Sequence, residues 1–423
     1  MTEKLTNWAG NVAFRAQEIN RPISLRELQH TVARSSKVRA LGSRHSFSDI
    51  ADTGRTLVCL DDLPPLFEID SAAATVRITA SMRYAELGRR LHEQGWALHN
   101  LASLPHISVA GACATGTHGS GDANGNLATA VTALQMVTAD GEVAELDRDQ
   151  DEDRFHGTVV ALGALGIVTQ VTLDLVPTFE VEQYVYQDLP FEALTEHFAE
   201  IFASAYSVSL FTDWSGPRIN QMWLKRKQDD TGSPLPGTHW LGARLSDIPL
   251  NPLPGMSPVH ATQQLGEAGP WHERLPHFRS DFTPGYGNEL QSENFVPRRH
   301  AVAALRALDD IRAHIAPLVQ ISEVRTIAAD ELWMSPAHQQ DIVAFHFTWT
   351  NDTTAVLPVL AMIEERLAPY ASRPHWGKLF TTSSATLQSR YPRLPDFRKL
   401  ARHWDPTGKF TNDFLDRTVF ADL

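Results

Sequence analysis

Between Leu101 and Gly121 the chain reads LASLPHISVAGACATGTHGSG. Gly111, Gly116, Gly119 and Gly121 lie among small and hydroxylated residues, and Gly125 follows. Glycine lets a backbone take positive φ and lets another group come close to it. So little bulk is expected to leave almost no packed side-chain core, and the stretch reads as a loop. Successive backbone N–H groups in such turns form concave anion sites. Thr115, Thr117 and Ser120 add hydroxyl donors, and no carboxylate opposes an anion before Asp122. These features point to a loop that wraps a pyrophosphate; the plainer alternative is a tight surface turn.

Charge and composition narrow the class. With 423 residues the chain is long for one core and is expected to form about two domains. A hydrophobic content of 43% and a charged content of 21% fit a soluble globular enzyme. The net charge of −13, with no basic run, argues against nucleic acid and against an anionic membrane surface. No stretch approaches a membrane span. The start, MTEKLTNWAG, lacks the order of a secretion signal. Cys59 and Cys113 make neither a disulfide framework nor a metal site, so a cytoplasmic location is expected. The histidines show no metal-ligand spacing, and no metal is expected. No G-x-G-x-x-G follows the first strand and no P-loop occurs, which excludes a Rossmann reading.

Ser24 and Glu27 fit a capping box that opens a helix with Leu25, Leu28 and Val32 on one face. Val38 to Leu41 is expected as a strand feeding the turn LGSRHSFS, Leu41 to Ser48. Thr56 to Leu60 and Thr75 to Thr79 read as strands, and Arg83 to Gln94 as a helix ended by Gly95. Asp140-Gly141 predicts a hairpin between 130–138 and 142–146. A helix over 151–162 and an alternating strand over 166–176 follow. This mixture implies an α+β unit. The character changes near Pro177, where a domain boundary is expected. Residues 217–284 are rich in Pro, Gly and Trp and predict long ordered loops. Strands at 291–296, 319–327 and 341–350, with helices at 299–315 and 353–367, predict an antiparallel sheet covered by helices.

Residues two apart on a strand share a face. Val319, Ile321, Glu323, Arg325 and Ile327 therefore lie together, opposite Gln320, Ser322, Val324 and Thr326. Glu323 and Arg325 on an apolar face must be paired and hydrogen-bonded if buried. They form either a structural ion pair or a polar clamp for a hydroxylated substrate. On the next strand Phe345, Phe347 and Trp349 share one face, while His346, Thr348 and Ala344 share the other. A His/Thr pair beside a Glu/Arg pair suggests a polyol cradle, which Gln291 on a third strand can join. Lys378, in PHWGK, lies in an aromatic context where a lysine can be desolvated and tuned.

GSRHSF (Gly42 to Phe47), PHISVAG (Pro105 to Gly111) and ATGTHGSG (Ala114 to Gly121) resemble the flavin-binding domain of the vanillyl-alcohol-oxidase (PCMH) type. The resemblance to the alditol (xylitol) oxidases is closer still, running from TNWAGN (Thr6 to Asn11) to KFTN (Lys409 to Asn412). It implies an FAD-binding domain over 1–176, a substrate-binding cap domain over 177–375 and a C-terminal segment, 376–423, returning to the first. It implies FAD bonded covalently to His45 and contacted by Ala40, Leu41, Gly42, Ser43, Arg44, Ser46, Ser103, Ser108, Gly111, Thr115, Gly116, Thr117, His118 and Ile167. Substrate contacts carry over to Ser103, Gln291, Glu323, Arg325, His346, Thr348 and Lys378, with Arg325, Lys378, Glu323 and His346 as the catalytic set. Arg44 stands where many members of the wider superfamily have glycine, which bears on the geometry of that turn.

The activity so implied is oxidation of the terminal (C1) hydroxyl of alditols such as xylitol and sorbitol, with hydride passing to flavin and O2 reduced to H2O2. An aldonolactone oxidase or dehydrogenase is the related alternative, and a flavin-carrying binding protein without turnover a more remote one. Ala102, beside Ser103, is compatible with an oxidase or a dehydrogenase. The partners expected are a small polyol and O2, with a monomeric chain.

Overall fold

The structure is a computed structural model that describes residues 5–229, 235–282 and 288–421. Among these residues the strands form a three-stranded parallel sheet, a five-stranded antiparallel sheet, a ten-stranded antiparallel sheet and one two-stranded pair. The first two sheets and the helices between them make up the N-terminal unit. In the parallel sheet Thr56–Val58 pairs with both Glu18–Asn20 and Val38–Ala40. The helix Leu25–Arg34 packs Leu28 and Val32 beneath it. Its Ser24 cap accepts from the Glu27 N–H, while the Glu27 carboxylate accepts from the N–H of Ile23. The five-stranded sheet runs Phe67–Asp70, Thr75–Thr79, Ile167–Asp174, Val131–Val137, Val143–Asp147, and its last pair is the hairpin around Asp140-Gly141.

In the large sheet Glu180–Pro190, Arg218–Lys227, Ser207–Thr212, Val319–Ile327, Ile342–Thr350 and Glu289–Pro297 are consecutive neighbours. Its two faces differ as the alternation dictates. Val324, Phe345, Phe347 and Trp349 join a fully apolar core with Leu305 and Leu308 of the helix Ala301–Asp309 and Val356 and Ile363 of Thr353–Leu367. The opposite face turns its polar side chains toward the N-terminal unit.

The C-terminal segment ties the two ends of the chain together. Lys409 Nζ donates to the carbonyls of Val32 and Ala139, and Asn412 Nδ2 to those of Ile50 and Asp52. Arg39, buried within the N-terminal unit, donates to the carbonyl of Phe410.

Four expectations are corrected. The glycine-rich stretch is not all loop: Val109–Ala114 is a short helix, and Val109, Ala112 and Cys113 are core residues, because side chains this small can pack closely. Residues 217–284 open with a strand, Arg218–Lys227, where loop was expected; beyond it the described residues are mainly loops and turns between short elements. The tail of that stretch, with 230–234, lies outside the described residues. The helix expected over 299–315 breaks into Ala301–Asp309 and Arg312–Ile315. Asp309 and Asp310 sit at the end of the first piece, where the helix dipole disfavours anions. The helix expected from 151 begins earlier, as Arg148–Val159, because Asp147 caps it by accepting from the Asp149 N–H. Among the described residues no helix is long and apolar enough to cross a membrane.

Candidate active site

One cavity lies between the N-terminal unit and the polar face of the large sheet. Its first wall is the turn that follows Val38–Ala40. The TNWAGN segment braces that turn from behind. Asn7 Nδ2 donates to Ser46 O and Asn11 Nδ2 to Phe47 O, each at 2.9 Å, and Trp8 N donates to Arg44 O at 2.8 Å. The Trp8 ring stacks on His45, with centroids 5.1 Å apart and planes 16° apart. Arg44 holds φ = 60°, the left-handed region that glycine enters freely and arginine enters at a cost. Arg44 thus occupies backbone space that a glycine would take without strain.

Both ring nitrogens of His45 are buried without a hydrogen-bond partner. Burial pushes its pKa down to about 4, so the ring is neutral near pH 7. A buried imidazole with no partner at either nitrogen leaves a place for another group to bond it.

The second wall is the glycine-rich segment. Ser108 N donates to Ser43 Oγ at 3.2 Å, which joins the two loops. A Cβ at Gly42 would meet Ser108 Oγ at 2.8 Å, and one at Gly111 would meet it at 2.7 Å. A side chain at either position would push the Ser108 hydroxyl from its place between the two loops. Thr115 and Thr117 share a hydroxyl contact of 3.2 Å at the cavity edge. Ser120 does not face the cavity; its Oγ contacts Ser207 and Ser209 of the large sheet. The far end of the segment is stitched to that sheet, where Gly121 N donates to Thr326 O at 2.9 Å.

The third wall comes from three neighbouring strands in register. Glu323 lies opposite His346, and His346 opposite Glu293. Ile321, Thr348 and Gln291 form the adjacent row. Arg325 and Phe295 flank the small Ala344 in a further row. At the centre is Glu293, fully buried. It accepts from Arg325 Nη2 at 2.8 Å and from Lys378 Nζ at 2.7 Å, and His118 Nε2 is 3.2 Å away. Burial pushes this carboxyl up, but Lys378, His118 and Arg325 outweigh it and hold the group well below the usual carboxylate range.

Lys378 also reaches His346 Nδ1 at 2.9 Å. An ammonium only donates, so Nδ1 accepts and Nε2 carries the proton, which it offers to Thr348 Oγ1 at 3.2 Å. Burial, reinforced by the Lys378 charge, pushes His346 down to about 3. Arg325 spreads its fork over three partners: Glu293, Ser103 Oγ at 3.3 Å and Glu323 at 3.4 Å. Burial pushes Glu323 up, yet Arg325 and His277 keep it far below the carboxylate range.

Of the cofactor and substrate contacts that the resemblance names, all but two line this cavity. Gly116 is set back at φ = 67° beside Pro336. Ile167 turns its side chain into the core with Leu28 and Val38, because Gly166 and Val168 take the cavity side of the alternation. Among the cavity residues that went unseen are Glu293, Glu289 and His277. Glu289 accepts from Gln291 Nε2 at 2.6 Å, and burial pushes its pKa up to about 7. The alternation Glu289, Gln291, Glu293 was the signal for two of them. The neutral unpaired His45 and the paired-glycine cradle together suit a flat aromatic ring system with an anionic tail.

Comparison with known proteins accords with this geometry. Residues 20–147 match the FAD binding domain family, and residues 288–418 the D-arabinono-1,4-lactone oxidase family. An alditol oxidase from a Streptomyces species is 53% identical, with 98% of this chain and 99% of that protein covered. An L-gulono-1,4-lactone dehydrogenase from Mycobacterium tuberculosis is 28% identical, with 98% of each covered. Cholesterol oxidase from B. sterolicum shares the fold at a TM-score of 0.76 and 14% identity, over 98% of this chain and 96% of that one.

Proposed function

The chain belongs to the alditol oxidase family of FAD-dependent flavoproteins, and on that footing we propose that it oxidises the terminal hydroxyl of alditols such as xylitol and sorbitol. The observation that carries this reading is the convergence of Arg325 and Lys378 on the single buried carboxylate Glu293, beside His346, Thr348 and Gln291, in the cavity that also holds His45.

FAD, held by the turn around His45 and the segment around Ser108, would supply the hydride acceptor and the route of electrons to O2, with H2O2 as product. The chain's own groups do the rest. Arg325 and Lys378 stabilise the negative charge that develops on the alcohol oxygen. Glu323, Gln291, Thr348 and the Nε2–H of His346 hydrogen-bond neighbouring hydroxyls and fix which carbon presents its hydrogen. A site built to read hydroxyls rejects analogues that lack them, because its polar groups are then left unpaired. Residues 1–176 carry the cofactor, 177–375 the substrate face, and 376–423 return to the first unit, an arrangement supported by the Lys409 and Asn412 contacts. His45 is the covalent attachment point, supported by its two unpaired nitrogens.

His45→Ala is expected to yield protein whose yellow colour stays in the supernatant after acid precipitation, whereas the parent's pellet is yellow. A coloured mutant pellet would place the linkage elsewhere. Product analysis separates the alditol reading from the lactone one. Xylitol should give an aldose and stoichiometric peroxide, with a kcat/KM well above that for L-gulonolactone. The reverse order would favour a lactone enzyme, to whose named members this chain is less similar.

A further inference from the structure

We propose that Lys225 and His277 are positioning residues for Glu323: a buried ammonium fixes the tautomer of an imidazole, whose other N–H holds the carboxylate ready to accept from substrate hydroxyls. The proposal rests on the polyol reading for the identity of the substrate, and on geometry for the relay itself.

Lys225 lies in the strand Arg218–Lys227 with 1% exposure, away from the cavity lining. Its Nζ has three partners: Leu275 O at 2.5 Å, Pro276 O at 2.9 Å and His277 Nδ1 at 3.2 Å. An ammonium has three N–H donors and no acceptor, so each donor has one use and Nδ1 must accept. The ring proton is then on Nε2, which stands 2.7 Å from Glu323 Oε1. The opposite assignment fails. A neutral amine facing an Nδ1–H would leave a bare Nε2 lone pair against a buried carboxylate, with no donor between them.

The imidazole is held in this orientation by its neighbours. Phe211 and Trp223 meet it edge-on, at 5.3 Å and 77° and at 5.5 Å and 80°. The backbone N–H of His277 donates to Ser103 O at 3.2 Å, and the Ser103 hydroxyl accepts from Arg325. One short segment therefore braces both halves of the Glu323–Arg325 pair. The titratable groups that face this relay are Glu323 and Arg325 toward Lys225 and His277, and Arg325 and the neutral His346 toward Glu323. Burial, aided by the Lys225 charge, pushes His277 down to about 4, so the ring is neutral near pH 7. Burial and the Arg325 charge push Lys225 down, opposed by Glu323, and the three acceptors around Nζ favour its charged form.

The test compares His277→Leu, His277→Gln and Lys225→Met in the flavin-loaded enzyme. It uses xylitol turnover across pH, together with 15N NMR of labelled histidines. A glutamine side chain can offer both the donor and the acceptor of the ring. His277→Leu is expected to lower kcat about 10²-fold, the scale of a misplaced site group. It should also add an acid limb to kcat/KM, because Glu323 without its donor is protonated at higher pH. His277→Gln should recover most of the loss. The parent should show the Nε2–H tautomer at His277, and Lys225→Met should lose it. Equal impairment of the Leu and Gln variants, or an Nδ1–H tautomer in the parent, would overturn the relay. So would parent-like rates and pH profiles in the Leu and Met variants. The tautomer signal does not depend on turnover. A parent inactive on alditols would sink the polyol reading alone, and the NMR result would still decide the relay.

Discussion

Glu293→Ala is expected to cost about 3–5 kcal/mol of stability, the usual penalty for removing one partner of a buried ion pair. It is also expected to abolish most turnover. The residue has no exposed surface, and it is the anion that Arg325 and Lys378 share. Without it two cations stand close together in a desolvated cavity. Glu293→Gln keeps the shape and separates the two effects. Its amide N–H2 must point at a donor, so one cation loses its partner whichever way the amide is set. Turnover should fall by on the order of 10²-fold while flavin stays bound. The sign of the pH effect follows from Lys378. Burial already pushes that lysine down, and Glu293 is the group that pushes it back up. With Glu293 neutralised, Lys378 loses its proton at lower pH, so the alkaline limb of kcat/KM should move to lower pH. An unmoved limb would mean that Lys378 does not act as a cation.

The second large effect is expected from Arg325→Ala and Lys378→Ala. Each should lower kcat by about 10²–10³-fold, the scale for losing one preorganised donor to developing negative charge. Flavin absorbance per mole of protein should stay near that of the parent, since neither side chain belongs to the two loops around Ser108. Arg325→Lys is not a mild change. The guanidinium uses Nη2 toward Glu293, Nη1 toward Ser103 and Nε toward Glu323, and a point charge on a flexible stem cannot hold all three. It should recover only part of the loss. Near-parent turnover in both alanine variants would take the two cations out of the chemistry.

The sequence made some of this site legible and hid the rest, for identifiable reasons. Val319–Ile327 and Ile342–Thr350 could be read because their alternation is clean: large apolar residues mark the helix-covered face, and what remains marks the cavity. Register could not be read, since nothing local says that Glu323 sits beside His346. Glu293 escaped notice because Glu289–Pro297 begins with polar residues on both faces, including the buried Ser292 and Asn294. Arg218–Lys227 looked like loop because it opens a stretch rich in Pro, Gly and Trp, although Lys225 is buried. His277 lies in a Pro-rich stretch without periodicity, and only the tertiary fold carries it to Glu323. Ser120, by contrast, carried a hydroxyl suited to an anion but spends it on Ser207.

The union of the two chain ends bears on how the enzyme is made. Ser48 Oγ donates to Trp376 O, Phe47 N to Gly377 O and Asn412 to the carbonyls around Ile50, so residues near both termini brace the turn that presents His45. On the ribosome these partners are separated by most of the synthesis time, because the chain emerges from its N-terminus. A nascent chain therefore cannot complete this brace until residues 376–412 have emerged. Firm seating of the prosthetic group is expected to need them, and a chain truncated near residue 400 should hold less of it than the parent.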